Sequence, residues 1–413
     1  MPTILQLNCT SNWGSTGKIV EQIGQKAIEA GWECHVAFGR YSNPSVLNTT
    51  KVGNMFWTLE HYVENRLLDN EGLASRIPTK RFLKEVDKIR PDIVHLHNIH
   101  DHWINYRMLF KYLAEKRIPV VWTQHDQWAT TGHCCYNLMG CERWKTECHD
   151  CPLSKWYSLD RSRQNFNLKK NLCEGLKSLT IVTVSEWLAD IIRQSYLKER
   201  SIEVIRNGID INLFKPIIAD SIGDKRYENK TILLGVAAPW SERKGLQDYI
   251  ALSKILPPEY VIVLIGLDKE QIELLPDNMV GVGRIQNQTE LAAYYSMADI
   301  LLSLSTGETF GLTMAEAYGC GTPVIVYDNT AQPEIVTSET GRVVKTGDIE
   351  ALAATIQELC ATDFKKHHSA ACRQRAVEYF DKDKCFEKYV ELYERLLKKN
   401  SSAQVALMVH GVR

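Results

Sequence analysis

Two glutamates, Glu308 and Glu316, lie on either side of a glycine-containing turn that precedes a predicted helix over residues 312–319. Backbone N–H groups at the start of such a helix point outward with the positive end of the helix dipole behind them, which suits a bound diphosphate. The residues that would present these groups are Phe310, Gly311, Leu312 and Thr313. One carboxylate can bind both hydroxyls of a ribose and the other can bind a sugar. The alternative interpretation is a loop carboxylate and a solvated helix residue.

A pair of cations, Arg243 and Lys244, lies in the segment Trp-Ser-Glu-Arg-Lys-Gly-Leu at residues 240–246. Their position at the start of a predicted helix over residues 244–255 suits the counter-charge of a diphosphate. Taken alone, the pair is also typical of a solvated helix start.

A glycine-containing turn, Gly14, Ser15, Thr16 and Gly17, follows the predicted first strand at residues 3–8. Its spacing is too short for a nucleoside-triphosphatase phosphate loop, which excludes that class of enzyme. A turn of this kind before a helix, predicted over residues 17–30, can still face a phosphate.

His125 and Asp126 follow a predicted strand at residues 119–123, and a second group of histidines follows another strand. That group is His95, His97, His100 and His102. Because alternate residues of a strand share a face, His95 and His97 are expected on one side. A metal-dependent hydrolase using His97, His125 and Asp126 is one hypothesis, and histidines lining a polar cleft are the other.

Five of the twelve cysteines lie between residues 134 and 151, and four of these have spacings that suit a closed tetrahedral zinc site. The four are Cys134, Cys141, Cys148 and Cys151. Free thiols and disulfides remain alternatives. Because such a site has no open coordination position, it would be structural and would have no catalytic role.

These residues must be positioned by an α/β framework, since short β-branched runs alternate with longer segments of helical period. The predicted strands are 3–8, 33–38, 92–96, 119–123, 180–184, 201–205, 231–236, 260–265, 299–303 and 323–326. A polar segment at 215–230 predicts a linker, so we expect two doubly wound parallel-sheet domains that face each other across a ligand-binding cleft. The predicted domains are residues 1–212 with a cysteine-rich insertion at 132–152, residues 213–380, and a C-terminal helix at 381–413 that packs on the first domain.

The overall composition narrows the classes of partner. With 49 Lys and Arg against 50 Asp and Glu, the chain has no global positive field for a nucleic acid. The sequence contains no run of about 18 apolar residues, so it predicts no membrane-spanning helix. The scattered cysteines are typical of a reducing compartment, which favours the cytoplasm. An aromatic and then basic stretch at residues 54–81 is typical of either a packed helix or peripheral contact with the inner membrane face.

The segment Glu-Thr-Phe-Gly-Leu-Thr-Met-Ala-Glu-Ala-Tyr-Gly-Cys-Gly-Thr-Pro-Val at 308–324 resembles the donor-site signature of family 4 retaining glycosyltransferases of the GT-B fold. The resemblance extends over almost the whole chain, and the cysteine-rich insertion resembles one in glycosyltransferases of bacterial capsule and exopolysaccharide biosynthesis. One departure is the segment 329–334, where the family often has a pair of glycines. The family resemblance implies a nucleotide-sugar donor, UDP more than GDP, and no cofactor for catalysis.

The same resemblance implies a role for each site residue. Lys244 and Arg243 bind the diphosphate, Glu316 the ribose, and Glu308 and His125 the transferred hexose. The other implied donor contacts are the turn at 14–17, Asn207, Arg284 and Ile285. The implied acceptor is a glycan or a lipid-diphosphate-linked glycan in surface polysaccharide assembly, such as a capsule. A nucleotide-sugar epimerase or a non-catalytic sugar-nucleotide binder on the same fold remains an alternative.

Overall fold

The computed structural model describes residues 1–136, 140–154, 157–217 and 225–410, with side chains up to residue 400. The chain forms two compact units, Met1–Ile205 with Phe386–Arg413, and Arg206–Cys385. The boundaries between the units therefore lie between residues 205 and 206 and between residues 385 and 386. The predicted boundaries lay between residues 212 and 213 and between residues 380 and 381. The predicted linker at 215–230 and the predicted insertion at 132–152 lie partly outside the described residues.

The first unit is built on a seven-stranded parallel sheet with the order β3-β2-β1-β4-β5-β6-β7. Its strands are β1 (Thr3–Asn8), β2 (Glu33–Phe38), β3 (Asn48–Lys51), β4 (Ile93–Leu96), β5 (Val120–Gln124), β6 (Leu179–Thr183) and β7 (Ser201–Val204). Its helices are α1 (Gly14–Glu29), α2 (Met55–Leu68), α3 (Arg76–Ile89), α4 (Tyr106–Lys116), α5 (Ser162–Gly175) and α6 (Glu186–Arg193). The central strands β1, β4, β5 and β6 are buried along their whole length, as expected for a parallel sheet covered on both faces.

The second unit has a six-stranded parallel sheet with the order β10-β9-β8-β11-β12-β13. Its strands are β8 (Thr231–Val236), β9 (Tyr260–Ile265), β10 (Met279–Val282), β11 (Ile300–Ser303), β12 (Val324–Tyr327) and β13 (Gly341–Val344). Its helices are α7 (Leu246–Ser253), α8 (Lys269–Glu273), α9 (Gln288–Met297), α10 (Leu312–Gly319), α11 (Ile349–Ala361) and α12 (Phe364–Tyr379). Tyr249, Ile262, Leu302 and Ile356 are among the residues of its hydrophobic core.

The last helix, α13 (Lys382–His410), begins in the second unit and continues in the first. Tyr393 Oη lies 2.7 Å from Nδ1 of the buried His95, and Thr123 Oγ1 lies 3.1 Å from Tyr389 Oη. These buried hydrogen bonds fix α13 on β4 and β5. Within the described residues, no helix combines the length and the apolar character that crossing a membrane requires.

The order of the strands determines which loops are neighbours. β1, β4 and β5 are adjacent in the first sheet, and β8, β11 and β12 are adjacent in the second. Because all pairings are parallel, the loops that follow adjacent strands leave the same edge of each sheet. This edge carries His97 and His125 in the first unit and Lys244 and Glu308 in the second.

Candidate donor site and histidine cluster

The loops that follow β8 and β11 are joined by hydrogen bonds to the backbone carbonyl of Arg243. The N–H of Thr306 donates to the carbonyl of Arg243 at 2.8 Å, and the hydroxyl of Ser305 donates to the same carbonyl at 3.0 Å. Gly245 permits this close approach, because it has a φ of +74° and a Cβ at this position would lie 2.1 Å from the carbonyl oxygen of Leu304. The backbone therefore holds Arg243 and Lys244 beside the loop of Glu308.

Three of the predicted site residues form one charged cluster in the second unit. Lys244 Nζ donates to Glu308 Oε1, and Arg243 Nη1 lies 3.8 Å from the same oxygen. The side chains of Lys244 and Glu308 are 23% and 18% exposed, so these charges are largely shielded from water but reachable. Two cations and one carboxylate leave an excess of one positive charge, which favours an anionic ligand.

The helix that follows this cluster begins at Gly311, which caps α10 with a φ of +94°. Glycine has no side chain with which to accept hydrogen bonds from the first turn, and that turn contains no acidic residue in the described structure. Its N–H groups remain oriented along the helix axis. Phe310 is buried, with its ring 5.7 Å from that of Phe380, so it supports the turn by packing.

Glu316 lies on α10 and has a partner that the sequence did not indicate. The hydroxyl of Tyr295, a buried residue of α9, donates to Glu316 Oε2 at 2.7 Å. This hydrogen bond restricts the rotation of the carboxylate and orients it. Only the contact between α9 and α10 brings these two residues together, since 21 positions separate them.

The segment after β12 supports Glu308 through its backbone, although it has no pair of glycines. Thr330 Oγ1 accepts a hydrogen bond from the N–H of Glu308 at 3.0 Å, and the N–H of Ala331 donates to the carbonyl of Glu308 at 3.1 Å. Thr330 has a φ of +51°, a conformation that side-chain-bearing residues seldom adopt. The threonine hydroxyl thus supplies a fixed contact where glycines would allow close approach of the backbone.

The remaining predicted donor contacts of the second unit are placed separately. Arg284 is exposed and Ile285 is half-buried in the loop after β10, whereas Asn207 is buried at the start of the unit. Gly208 beside Asn207 packs against the backbone of α13, since a Cβ there would lie 2.3 Å from Lys382 Cα.

In the first unit, the predicted turn at Gly14, Ser15, Thr16 and Gly17 is the first turn of α1, which begins at Gly14. The prediction of a loop followed by a helix from residue 17 was therefore wrong at this end. Thr10 Oγ1 donates to the carbonyl of Trp13 at 2.9 Å, and a Cβ on Gly17 would lie 2.7 Å from that hydroxyl oxygen. Close packing of the loop on the helix start explains the glycine at position 17.

His125 and His97 are joined in a buried chain that ends on Gln6. His97 Nδ1 lies 3.0 Å from His125 Nε2, and His97 Nε2 lies 3.1 Å from Gln6 Oε1. The amide of Gln6 is oriented by the carbonyl of Val20, which can only accept and does so from Gln6 Nε2 at 3.0 Å. Gln6 Oε1 must then accept from His97, and His97 Nδ1 must accept from His125.

This chain assigns the neutral tautomer of His125, with its proton on Nε2. Burial lowers the pKa of His125 to about 4 and holds the pKa of His97 well below its usual value. Both rings are therefore neutral at pH 7, and the chain of hydrogen bonds orients the ring of His125.

The set of residues predicted for a metal-dependent hydrolase is not assembled. Asp126 Oδ2 lies 2.9 Å from His100 Nε2, and Asp126 Oδ1 accepts from the N–H of Trp128 at 2.8 Å. Although burial lowers the pKa of His100, the charge of Asp126 raises it to about 9, so the two form an ion pair. Asp126 is thus engaged with His100, while His97 and His125 bond to each other. Of the four clustered histidines, His95 and His97 lie together as expected, with ring centres 3.9 Å apart, and His95 also contacts α13. His102 lies apart from them, with its Nε2 beside Asn65.

Two family matches together cover most of the chain. Residues 16–213 match Glycosyltransferase Family 4, and residues 220–378 match Glycosyl transferases group 1. The chain belongs to glycosyltransferase family 4. It has the GT-B fold, with two parallel-sheet α/β units.

Known proteins similar to this family 4 chain match it along nearly its full length. WcaC of Escherichia coli strain K12, which carries the name of a colanic acid biosynthesis glycosyl transferase, is 24% identical over 95% of this chain and 100% of its own. Sucrose-phosphate synthase from Thermosynechococcus elongatus has a TM-score of 0.72 at 20% identity, covering 97% of this chain and 100% of its own. Anabaena HepE, solved in complex with UDP and glucose, has a TM-score of 0.66 at 18% identity over 96% and 100%.

Proposed function

We propose that this family 4 protein transfers a hexose from a nucleotide-diphosphate sugar, UDP in preference to GDP, to an acceptor hydroxyl with retention of anomeric configuration. The observation that carries the proposal is the cluster of Lys244, Arg243 and Glu308 beside the start of the helix that carries Glu316. The complex of the structurally similar HepE with UDP and glucose supports the choice of donor.

In this proposal, the diphosphate leaving group is stabilised by charge. When the bond between the sugar and the diphosphate breaks, negative charge develops on the leaving oxygen, and preorganised donors at that position lower the barrier. Lys244 and Arg243 supply two cations, and the first turn of α10 supplies backbone N–H groups. Because these groups neutralise the charge, we propose that the reaction needs no divalent metal ion.

The hydroxyl groups of the donor are assigned to the two glutamates and His125. Glu316, oriented by Tyr295, binds the ribose, and Glu308 binds the transferred sugar. A diphosphate would replace Glu308 as the partner of Lys244, which releases the carboxylate for the sugar. His125, oriented by His97, binds a hydroxyl of the transferred sugar. Further proposed donor contacts are Gly14, Ser15, Thr16, Gly17, Asn207, Arg284, Ile285 and the N–H groups at residues 310–313.

The donor assignment is tested with Glu316→Gln and a series of nucleotides. We expect UDP to raise the melting temperature of the wild type more than GDP does, and the variant to bind UDP about tenfold more weakly because a charge-assisted hydrogen bond is lost. Thermal shift and calorimetry measure both effects. Glu290→Gln, the same change at an exposed position of α9, is the matched control and should bind UDP like the wild type.

Three outcomes would contradict the donor assignment. Preferential stabilisation by GDP would overturn the choice of base, and indifference to every nucleotide diphosphate would overturn the site. Turnover of the sugar nucleotide to an isomer without any acceptor would indicate an epimerase.

The proposed acceptor is a glycan on a lipid diphosphate, in the assembly of a bacterial surface polysaccharide such as a capsule or exopolysaccharide. α2 exposes an apolar face, on which Phe56 is 66%, Leu59 58% and Leu67 54% exposed. The following helix, α3, exposes Lys80, Arg81 and Lys84. Apolar side chains with cations nearby suit an anionic membrane surface, so we propose a cytoplasmic protein that is peripheral on the inner membrane face.

The membrane contact is tested with the triple variant Phe56→Ser, Leu59→Ser and Leu67→Ser. We expect the variant to bury about 55 Å² less apolar surface in the membrane than the wild type. The binding free energy then weakens by about 1.4 kcal/mol, which lowers the partition onto vesicles roughly tenfold. Sedimentation with vesicles containing phosphatidylglycerol measures it. The control triple, Val46→Ser, Ile255→Ser and Leu274→Ser, removes exposed apolar residues elsewhere and should sediment like the wild type. Equal partition of both triples would exclude α2 as the contact.

A further inference from the structure

The four cysteines Cys134, Cys141, Cys148 and Cys151 line a single cavity of the first unit, with a volume of about 30 Å³. None of the twelve cysteines forms a disulfide in the structure. The spacing of six, six and two intervening residues lets one short loop present all four sulfurs to a common centre. A space of this size accommodates a single small ion.

Two of the four sulfurs are contacted by groups that orient metal-bound thiolates. The N–H of Gly132 donates to Cys148 Sγ at 3.3 Å, and His133 Nε2 lies 3.1 Å from Cys151 Sγ. His133 is oriented in turn by Asp69, whose Oδ1 lies 3.1 Å from the ring Nδ1. Carboxylate, histidine and sulfur thus form a hydrogen-bonded chain, buried at Asp69 and His133, of the kind that positions ligands around a metal.

Two cations lie near the cavity, and the charge of one of them, Lys169, acts on Cys134 and Cys148. The buried Lys169 lies with its Nζ 3.9 Å from the centre of the Trp128 ring and donates to the carbonyl of Trp128 at 2.6 Å. Arg143 lines the cavity and donates to the carbonyl of His149 at 2.7 Å. Four thiolates around a doubly charged cation carry a net charge of about −2, which nearby cations offset.

We propose that Cys134, Cys141, Cys148 and Cys151 bind one structural Zn²⁺ and that His133 positions Cys151. Each thiol loses its proton to solvent as its Zn–S bond forms, so binding releases up to four protons. With Zn–S bonds of about 2.3 Å, binding draws the four sulfurs towards one another and tightens the loop.

A second group of metal-ligand atoms must be distinguished from this site. Among the described residues, the atoms that lie within 4.8 Å of one another are those of His100, Asp126 and Cys135, whereas the four thiols surround a wider space. His100 and Asp126 already satisfy each other as a hydrogen-bonded pair. Cys135 lies with that pair and does not line the cavity of the four cysteines, so it is excluded from the proposed ligands.

The zinc site would support the end of α2. Asp69 directly follows this helix, and besides His133 it accepts from the N–H of Arg161 at 2.7 Å, while its carbonyl accepts from Asn165 Nδ2 at 2.8 Å. The loop that carries the cysteines is therefore tied to the helix with the exposed apolar face. The proposed role is to hold this part of the first unit rigid.

The test is metal analysis of the full chain purified without chelator. We expect about one zinc per chain in the wild type and near zero in Cys148→Ser and Cys151→Ser. Cys135→Ser, the matched control from the same loop, should keep about one zinc per chain. Protein in which Co²⁺ replaces Zn²⁺ should show the visible absorption of tetrahedral thiolate coordination. A chelator should lower the melting temperature of the wild type, and added Zn²⁺ should restore it.

Where a cysteine variant fails to fold, zinc release from the wild type by a mercurial that titrates four thiols gives the same answer. Stabilisation by UDP, measured on the same samples, reports the second unit and separates this proposal from the proposed function. Wild-type protein with no zinc, an intact mass showing disulfides among the four cysteines, or loss of zinc only in Cys135→Ser would overturn the proposal.

Discussion

Lys244→Ala is expected to lower kcat/KM for sugar transfer by on the order of 100- to 1000-fold, with most of the loss in kcat. Lys244 is the cation nearest Glu308, and in the proposed reaction it meets charge that develops only as the diphosphate leaves. A group that binds the transition state more tightly than the substrate affects kcat more than KM. Steady-state kinetics with a UDP-sugar and an acceptor measure the change.

The matched control for Lys244 is Lys269→Ala, which removes an exposed lysine at the start of α8 in the same unit. It should transfer sugar like the wild type. The double variant Lys244→Ala, Glu308→Gln tests whether the loss of activity in Lys244→Ala comes only from leaving the Glu308 carboxylate without a counter-charge. If the double variant recovers activity, Lys244 serves only to neutralise Glu308, and its proposed role at the diphosphate is wrong.

His97→Phe is expected to lower kcat by on the order of 100-fold, although His97 is proposed to act only through His125. Phenylalanine keeps a planar ring but removes the acceptor that orients His125, and it leaves the Nε2–H of His125 without its partner. Asparagine can place Oδ1 near the former Nδ1, so His97→Asn should recover most of the activity. Kinetics of both variants, with UDP stabilisation as the control for folding, measure the effect.

A purely structural role for His97 would give a different pattern. If His97 acts through His125, the His97→Phe change should alter kcat by less than about threefold in a His125→Ala background, because contacting residues are not additive. Equal losses in both backgrounds would show that His97 does not act by positioning His125. Equal activity of His97→Phe and His97→Asn would contradict the importance of the acceptor atom.

Most of the strands could be predicted from the sequence, because the apolar residues of a buried strand are close together in the chain. β1, β2, β8 and β9 have the predicted bounds, since each contains three or more buried apolar residues. β3, β10 and β13 were not predicted. They lie at sheet edges, where the polar sequence Asn-Thr-Thr-Lys of β3 and the glycines of β10 and β13 weaken the pattern.

The sequence by itself determined the family and the alternation of strands and helices. It also determined the segment in which a turn and a helix separate Glu308, Gly311 and Glu316. These features are local, because strand burial, helix starts and glycine turns depend on residues close together in the chain. Only the tertiary structure decided which side chains meet. Asp126 pairs with His100 rather than with His97, and Glu316 meets Tyr295, because partners are chosen by how adjacent strand ends and helices pack. That packing brings together residues that are far apart in the chain, so the spacing of neighbouring residues in the sequence cannot predict it.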